Sequence, residues 1–230
     1  SVTCSAGGSG NGATTAPIAH MISSEFDTPS VAHLTCVGRS HADIAAKIDE
    51  YRTAGVENIL ALRGDLPAGA TEDDKPASDY AYARDLIPEL IDAGFCVGAA
   101  AYPEGHIACR SLEADISFLK QKQDNGADYI ISQLCWDMDA FRYWLEAIRN
   151  AGIWLPVDVG IMPILDQAAT INMALSRNGC VMPRALCEII SKHWIFPNPF
   201  DKEPFDAAAE QKKKDFKEAG IEYTIKQIDE

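Results

Sequence analysis

Ile59-Leu-Ala-Leu-Arg-Gly-Asp-Leu-Pro67 is the stretch that decides the fold. Four apolar residues in a row, Ile59 to Leu62, do not alternate between a core face and a solvent face. They read as a strand covered on both sides, as in a parallel sheet flanked by helices. The run stops at Arg63-Gly64-Asp65, which places a cation, a residue free to take positive φ and a carboxylate where strand becomes loop. In parallel α/β folds the carboxyl ends of the strands are where ligands bind. A strand-ending turn with a solvated ion pair is the plain alternative, because Gly and Asp are common turn residues. A cell-adhesion reading of Arg-Gly-Asp fits poorly after an apolar strand.

Working outward, strand, loop, helix and glycine recur. Strand-like runs are Val2-Thr3-Cys4, Val31 to Cys36, Phe95 to Pro103, Tyr129 to Leu134 and Leu155 to Ile164. Helical spacing covers 42–54 after a Ser40 cap, 79–93 with Pro88 as a kink, 112–125 after Ser111, and 138–150 after Asp137. Glycines 55, 94, 126 and 152 stand where these helices stop. Such alternation means parallel strands joined by helical crossovers. Six strands in one chain fit a TIM-type (β/α)8 barrel better than a doubly wound sheet, with residues 1–230 as one domain. Past Pro163 the pattern turns helical, at 168–177 and 183–194, with an irregular turn at 196–200. Ile221, Ile225 and Ile228 are spaced four and three apart, so 205–230 reads as one helix running through Gly220.

Composition narrows the function. At 47% hydrophobic and 23% charged, 230 residues suffice for one sizeable core. A net charge of −14 would repel a phosphate backbone, so nucleic acid is a poor partner. Seven cysteines form no CxxC or Cys/His ligand spacing, and their odd number points to a reducing cytoplasm. No apolar run reaches membrane-spanning length and no signal-peptide pattern opens the chain, so no membrane partner is expected. The sequence opens without Met inside a strand-like run, which reads as the continuation of something upstream.

Polar residues collect at strand ends: Thr3, His33, Arg63 with Asp65, Tyr102 with Glu104 and His106, and Gln133 with Asp137. Taken singly, His33 or His106 is more often a satisfied core or loop histidine. Five strand ends together point to a ligand that supplies their partners collectively. The Gly-rich loop at 5–15 has neither the Lys-Ser/Thr of a P-loop nor GxGxxG spacing. No Ser-His-Asp order, HExxH or paired cysteine suggests nucleophilic or metal chemistry. The chemistry is therefore expected to be a cofactor's.

Five motifs in register carry a family resemblance. They are Ala32-His-Leu-Thr-Cys36, Ala61-Leu-Arg-Gly-Asp65, Ala101-Tyr-Pro-Glu-Gly-His106, Gly126-Ala-Asp-Tyr-Ile-Ile-Ser-Gln133 and Gly160-Ile-Met-Pro-Ile164. In order and spacing, over nearly the whole chain, they resemble methylenetetrahydrofolate reductase. That resemblance implies an FAD-containing (β/α)8 barrel of one-carbon metabolism and methionine biosynthesis. Its reaction would reduce 5,10-methylenetetrahydrofolate to 5-methyltetrahydrofolate in ping-pong fashion, with NADH or NADPH as electron donor. By position, Thr3, Cys4, Ala6, His33, Arg63, Gly64, Asp65, Tyr82, Ala83, Ala100, Tyr102, His106, Asp115 and Lys122 match the FAD-contacting set. Arg63, His106 and Lys122 would offset pyrophosphate charge. Asp65 would lie near flavin N1 and the pterin and tune the flavin potential. Gln133 matches a folate-contacting glutamine, and Met173 an apolar residue that packs on folate or nicotinamide.

The resemblance also implies two gaps. The family's general acid is a glutamate on the first barrel strand, and neither that strand nor the eighth is found in this sequence. A barrel without them exposes two sheet edges, so the resemblance implies a fragment that does not complete the reaction by itself, expected to work as a homo-oligomer or beside a partner subunit. The competing function is a non-catalytic FAD-binding subunit that passes electrons to a partner. A cofactor-free scaffold barrel fits least, since the FAD-matching strand ends are intact.

Overall fold

The computed structural model describes residues 1–4, 14–66, 71, 74, 76–176, 178–194 and 205–229. Ala6, most of the Gly-rich loop and the turn expected at 196–200 lie outside the described residues. Five parallel strands stand side by side in chain order: β1 (Val31–Thr35), β2 (Asn58–Leu62), β3 (Cys96–Ala101), β4 (Tyr129–Ser132) and β5 (Val157–Asp158). Helix α1 (Thr15–Phe26) precedes them, and α2 (His41–Thr53), α3 (Ala83–Asp92), α4 (Leu112–Asp124) and α5 (Met138–Asn150) alternate with them. After β5 come α6 (Gln167–Leu175), α7 (Arg184–Lys192) and α8 (Phe205–Asp229). Among the described residues no helix is long and apolar enough to cross a membrane.

The chain packs as two compact units. One comprises Ser1–Ala101, Ile116–Ile131 and Ala151–Asp158; the other comprises Tyr102–Asp115, Ser132–Asn150 and Val159–Glu230. In the first, Ala32, Leu34, Ile59, Ala61, Val97 and Ala99 form one cluster with Ile44 and Ile48 of α2 and Leu86, Ile87 and Leu90 of α3. Each large aliphatic side chain buried this way stabilises by roughly 1.5–3 kcal/mol. On the alternate positions, His33 stands opposite Leu60, and Leu60 opposite Gly98. A Cβ on Gly98 would meet the Tyr129 ring at 2.5 Å, so only glycine lets that ring lie there.

Several expected elements are trimmed, each for a visible reason. Helix α3 starts at Ala83 rather than at residue 79, because the preceding residues are tied elsewhere. Asp79 N–H donates to the Arg39 carbonyl at 3.0 Å, and buried Tyr80 donates to Glu89 Oε2 at 2.7 Å. The strand expected over 155–164 keeps two residues. Beyond it, Gly160 N–H donates to Ser132 Oγ at 2.9 Å instead of joining a ladder. The run at 2–4 is a single bridge, with Val2 N–H donating to Val31 O and His33 N–H to Val2 O. Thr15, taken with the Gly-rich loop, is instead the first residue of α1 and is buried.

In the second unit, α8 runs unbroken through Gly220. A Cβ there would collide with the Ile164 carbonyl oxygen, so the glycine is a close-approach residue and not a helix stop. Thr224 Oγ1, which donates to Gly220 O at 2.8 Å, also accepts from Ile164 N–H at 3.2 Å. The buried side of α8 therefore carries Ala209, Phe216, Gly220, Thr224 and Gln227. The isoleucines that revealed the period lie mostly outside, Ile221 at 38%, Ile225 at 53% and Ile228 at 63% exposure.

Candidate functional site

In the sheet-bearing unit, the turn after β2 is laced to the turn after β1. Val37 N–H donates to Arg63 O at 2.7 Å, and Cys36 N–H to Leu62 O and Arg63 O at 3.1 and 3.2 Å. Gly64 takes φ +89°, and a Cβ would stand 2.9 Å from both Thr35 and Val37. This is why glycine separates the cation from the carboxylate. Arg63 is half-buried and Asp65 is exposed.

His33, on β1, carries the clearest demand for a partner. Its Nε2 is buried and has no hydrogen-bond partner among the described residues. Burial, reinforced by the positive amino terminus, lowers its pKa, which favours the neutral ring. A buried polar atom left unpaired costs about 1–3 kcal/mol, a cost that a bound group offering a hydrogen bond would remove.

The remaining matched residues of this unit are placed as follows. Thr3 is exposed, its carbonyl accepting from Thr15 Oγ1 at 3.2 Å, and Cys4 is buried. Lys122 of α4 donates through Nζ to the Ala100 carbonyl at 2.7 Å, which joins two of the expected contacts. Tyr82 is the residue before α3, exposed, with the Arg84 guanidinium 4.5 Å from its ring centroid. Ala83 beside it is buried.

In the second unit, Tyr102 and His106 meet edge to face with centroids 4.6 Å apart. Asp115 Oδ2 accepts from His106 N–H at 3.1 Å, and His106 Nδ1 accepts from Ala108 N–H at 3.1 Å. With Nδ1 used as an acceptor, the neutral ring carries its proton on Nε2 and can donate from there.

Gln133 follows β4 directly. Its Oε1 accepts from Leu134 N–H at 2.8 Å and its Nε2 donates to the Asn178 carbonyl at 3.2 Å. The two bonds fix which end of the amide is which, and each end retains capacity for one further bond. Asn178 Nδ2 in turn donates to Met173 Sδ at 2.7 Å. Gln133 and Met173 are thus brought together through a residue that sequence reasoning did not select, although Asn178-Gly179 is a recognisable turn dipeptide.

Glu104 was noted at its strand end but not among the site residues. It holds the same loop, its Oε2 accepting from Val181 N–H at 2.9 Å. Burial is the main cause of its raised pKa, with Asp137 adding to it and the Val181 bond opposing. Asp137 caps α5, its Oδ1 accepting from Asp139 and Ala140 N–H. Burial, together with the Glu104 carboxylate, pushes Cys135 and Cys180 up to about 12, so both stay thiols at neutral pH and are poor nucleophiles. Among the described residues no group of three or more His, Cys, Asp or Glu could hold a metal ion.

Comparison with known proteins places these residues in a family. The family model described as methylenetetrahydrofolate reductase matches residues 1–223. Methylenetetrahydrofolate reductase 1 of Schizosaccharomyces pombe is 39% identical over 166 residues, covering 71% of this chain and 27% of that protein. Methylenetetrahydrofolate reductase (NADH) 1 of Arabidopsis thaliana is 32% identical over 185 residues, covering 75% of this chain and 31% of that protein. A probable methylenetetrahydrofolate reductase (NADPH) of Caenorhabditis elegans is 36% identical over 136 residues, covering 59% and 20%. The chain therefore spans less than a third of the length of these relatives. A phosphonopyruvate hydrolase structure covers 78% of this chain and 63% of its own at TM-score 0.49 and 17% identity, too slight a likeness to argue from.

Proposed function

The chain belongs to the methylenetetrahydrofolate reductase family, and from that premise we propose that it is the α/β barrel catalytic domain of an FAD-dependent folate reductase. The match over residues 1–223 is the observation that carries this reading. The chemistry bound FAD would supply is hydride transfer, from NADH or NADPH to 5,10-methylenetetrahydrofolate, giving 5-methyltetrahydrofolate. Relatives named for each nicotinamide support either donor.

The chain's own residues fit such a cofactor. His33 has an unpaired buried Nε2 to offer. Thr3, Cys4, Ala6, Gly64, Tyr82, Ala83, Ala100, Tyr102 and Asp115 complete the matched contacts, and Arg63, His106 and Lys122 bring N–H donors that suit a pyrophosphate. Asp65, as an exposed carboxylate, would disfavour negative charge on a flavin bound beside it and so would lower that flavin's potential. Gln133 has one N–H and one lone pair left for the pterin edge, and half-buried Met173 offers an apolar surface.

The test takes the full-length protein and follows its bound flavin anaerobically. NADH or NADPH should bleach the flavin, and 5,10-methylenetetrahydrofolate should restore it in a separate second step. A flavin that the folate cannot reoxidise would reduce the role to electron transfer toward a protein partner.

A further inference from the structure

We propose that Asn178 is a positioning residue of the folate step, acting through Gln133 and Met173 rather than on substrate. The proposal rests on the reading of Gln133 as a substrate contact. Residues 178–181 form a loop between α6 and α7 that several polar ties hold in shape. Asn178 Oδ1 accepts from Cys180 N–H at 3.0 Å, closing a turn on its own backbone. Gly179 takes φ +86° inside that turn, and a Cβ there would stand 3.0 Å from Gly105 O. Buried Cys180 and the bond from Val181 N–H to Glu104 fix the far side.

The outcome is that the Asn178 carbonyl faces Gln133 Nε2, while the Asn178 side-chain amide holds Met173 Sδ. Gln133 has several rotatable bonds and would otherwise sample many orientations. With Leu134 N–H on its oxygen and Asn178 O on its nitrogen, the remaining donor and acceptor are aimed in fixed directions. A pterin edge that needs one donor and one acceptor in register would meet them without further ordering cost.

The experiment uses the full-length flavoprotein and compares Asn178→Ala, Asn178→Asp, Gln133→Ala and the double variant Gln133→Ala/Asn178→Ala. Asn178→Asp retains the oxygen that closes the turn but loses the donor to Met173. Stopped-flow reoxidation of the reduced enzyme by 5,10-methylenetetrahydrofolate should show the folate dissociation constant raised about fivefold to tenfold in Asn178→Ala. Its limiting rate, and flavin reduction by the nicotinamide, should change much less. Asn178→Asp should recover most of the loss, and Asn178→Ala should add less than about twofold once Gln133 is already Ala.

Full additivity in the double variant would overturn the positioning role, as would an unchanged folate constant in Asn178→Ala. If Gln133→Ala impairs the folate step and Asn178→Ala does not, the positioning proposal fails and the substrate reading of Gln133 stands. If Gln133→Ala leaves the folate step untouched, the reading of Gln133 fails and the proposal falls with it. Should Asn178→Ala fold poorly, the side-chain amide resonance of Gln133 in Asn178→Asp decides. It should stay at its wild-type position, and a shift toward the solvent-exposed value would overturn the proposal.

Discussion

In the sheet-bearing unit His33 keeps a buried Nε2 with no hydrogen-bond partner among the described residues, whereas in the second unit Gln133 has both ends of its amide engaged. The same contrast runs through their neighbours. Asp65 stands exposed after a turn that glycine forces into shape, while Glu104 is half-buried and already accepts from Val181. An unmet buried atom raises the free energy of the empty protein, and a ligand that meets it binds tighter by that amount. A preformed network instead spares the ligand the cost of ordering side chains. Under the proposed function, one unit would be completed by what it binds, and the other is set before binding.

The largest expected effect would break the preformed side. Gly220→Ala drives a methyl into the Ile164 carbonyl and so forces α8 off its seat. The loss should be about 2–3 kcal/mol, read as a lower urea midpoint. An unchanged midpoint would mean α8 is free to shift and the preformed side is soft.

Next in size is Asp65→Asn, which keeps the turn and removes the charge. Folate should bind roughly tenfold more weakly, about 1.4 kcal/mol, and the flavin potential should rise. If redox titration and folate affinity both match the wild type, Asp65 is only a turn residue and this half of the comparison loses its chemical end.

The smallest effect is pH-dependent and belongs to His33. Its folded pKa lies below the ordinary 6.5, so the unfolded chain binds the proton more readily. Its contribution is present above pH 6.5 and is lost as pH falls through that value toward the folded pKa. In FAD-free protein, melting temperature should fall on acidification from roughly pH 7.5 to 5, and His33→Leu should flatten that slope. Equal slopes in both proteins would show that His33 is already satisfied.

What the sequence disclosed follows from where each signal is local. The buried run at 59–62 became β2 almost residue for residue, and Ser40 caps α2 with a reciprocal box to Asp43. Apolar runs and caps are local chemistry and need no partner to be read. The start of α3 was misjudged because Tyr80 answers to Glu89, nine residues on. The buried face of α8 was likewise not legible. The isoleucine spacing gave the right period, but a glycine seated on Ile164 and a threonine bonded to it chose the buried side. The family motifs were legible by resemblance, and the hydrogen bond between Gln133 and the 178–181 loop was not. That bond joins residues 133 and 178 through a backbone carbonyl, which has no residue type to betray it.

The central claim is that this chain's strand ends hold FAD. The most direct measurement is to purify the full-length protein, denature it and identify the flavin released. The account predicts a yellow protein that yields FAD, at about one per chain, and that loses most of it when His33 is replaced by Leu. A colourless protein that takes up no added FAD, or one that yields FMN, would contradict it.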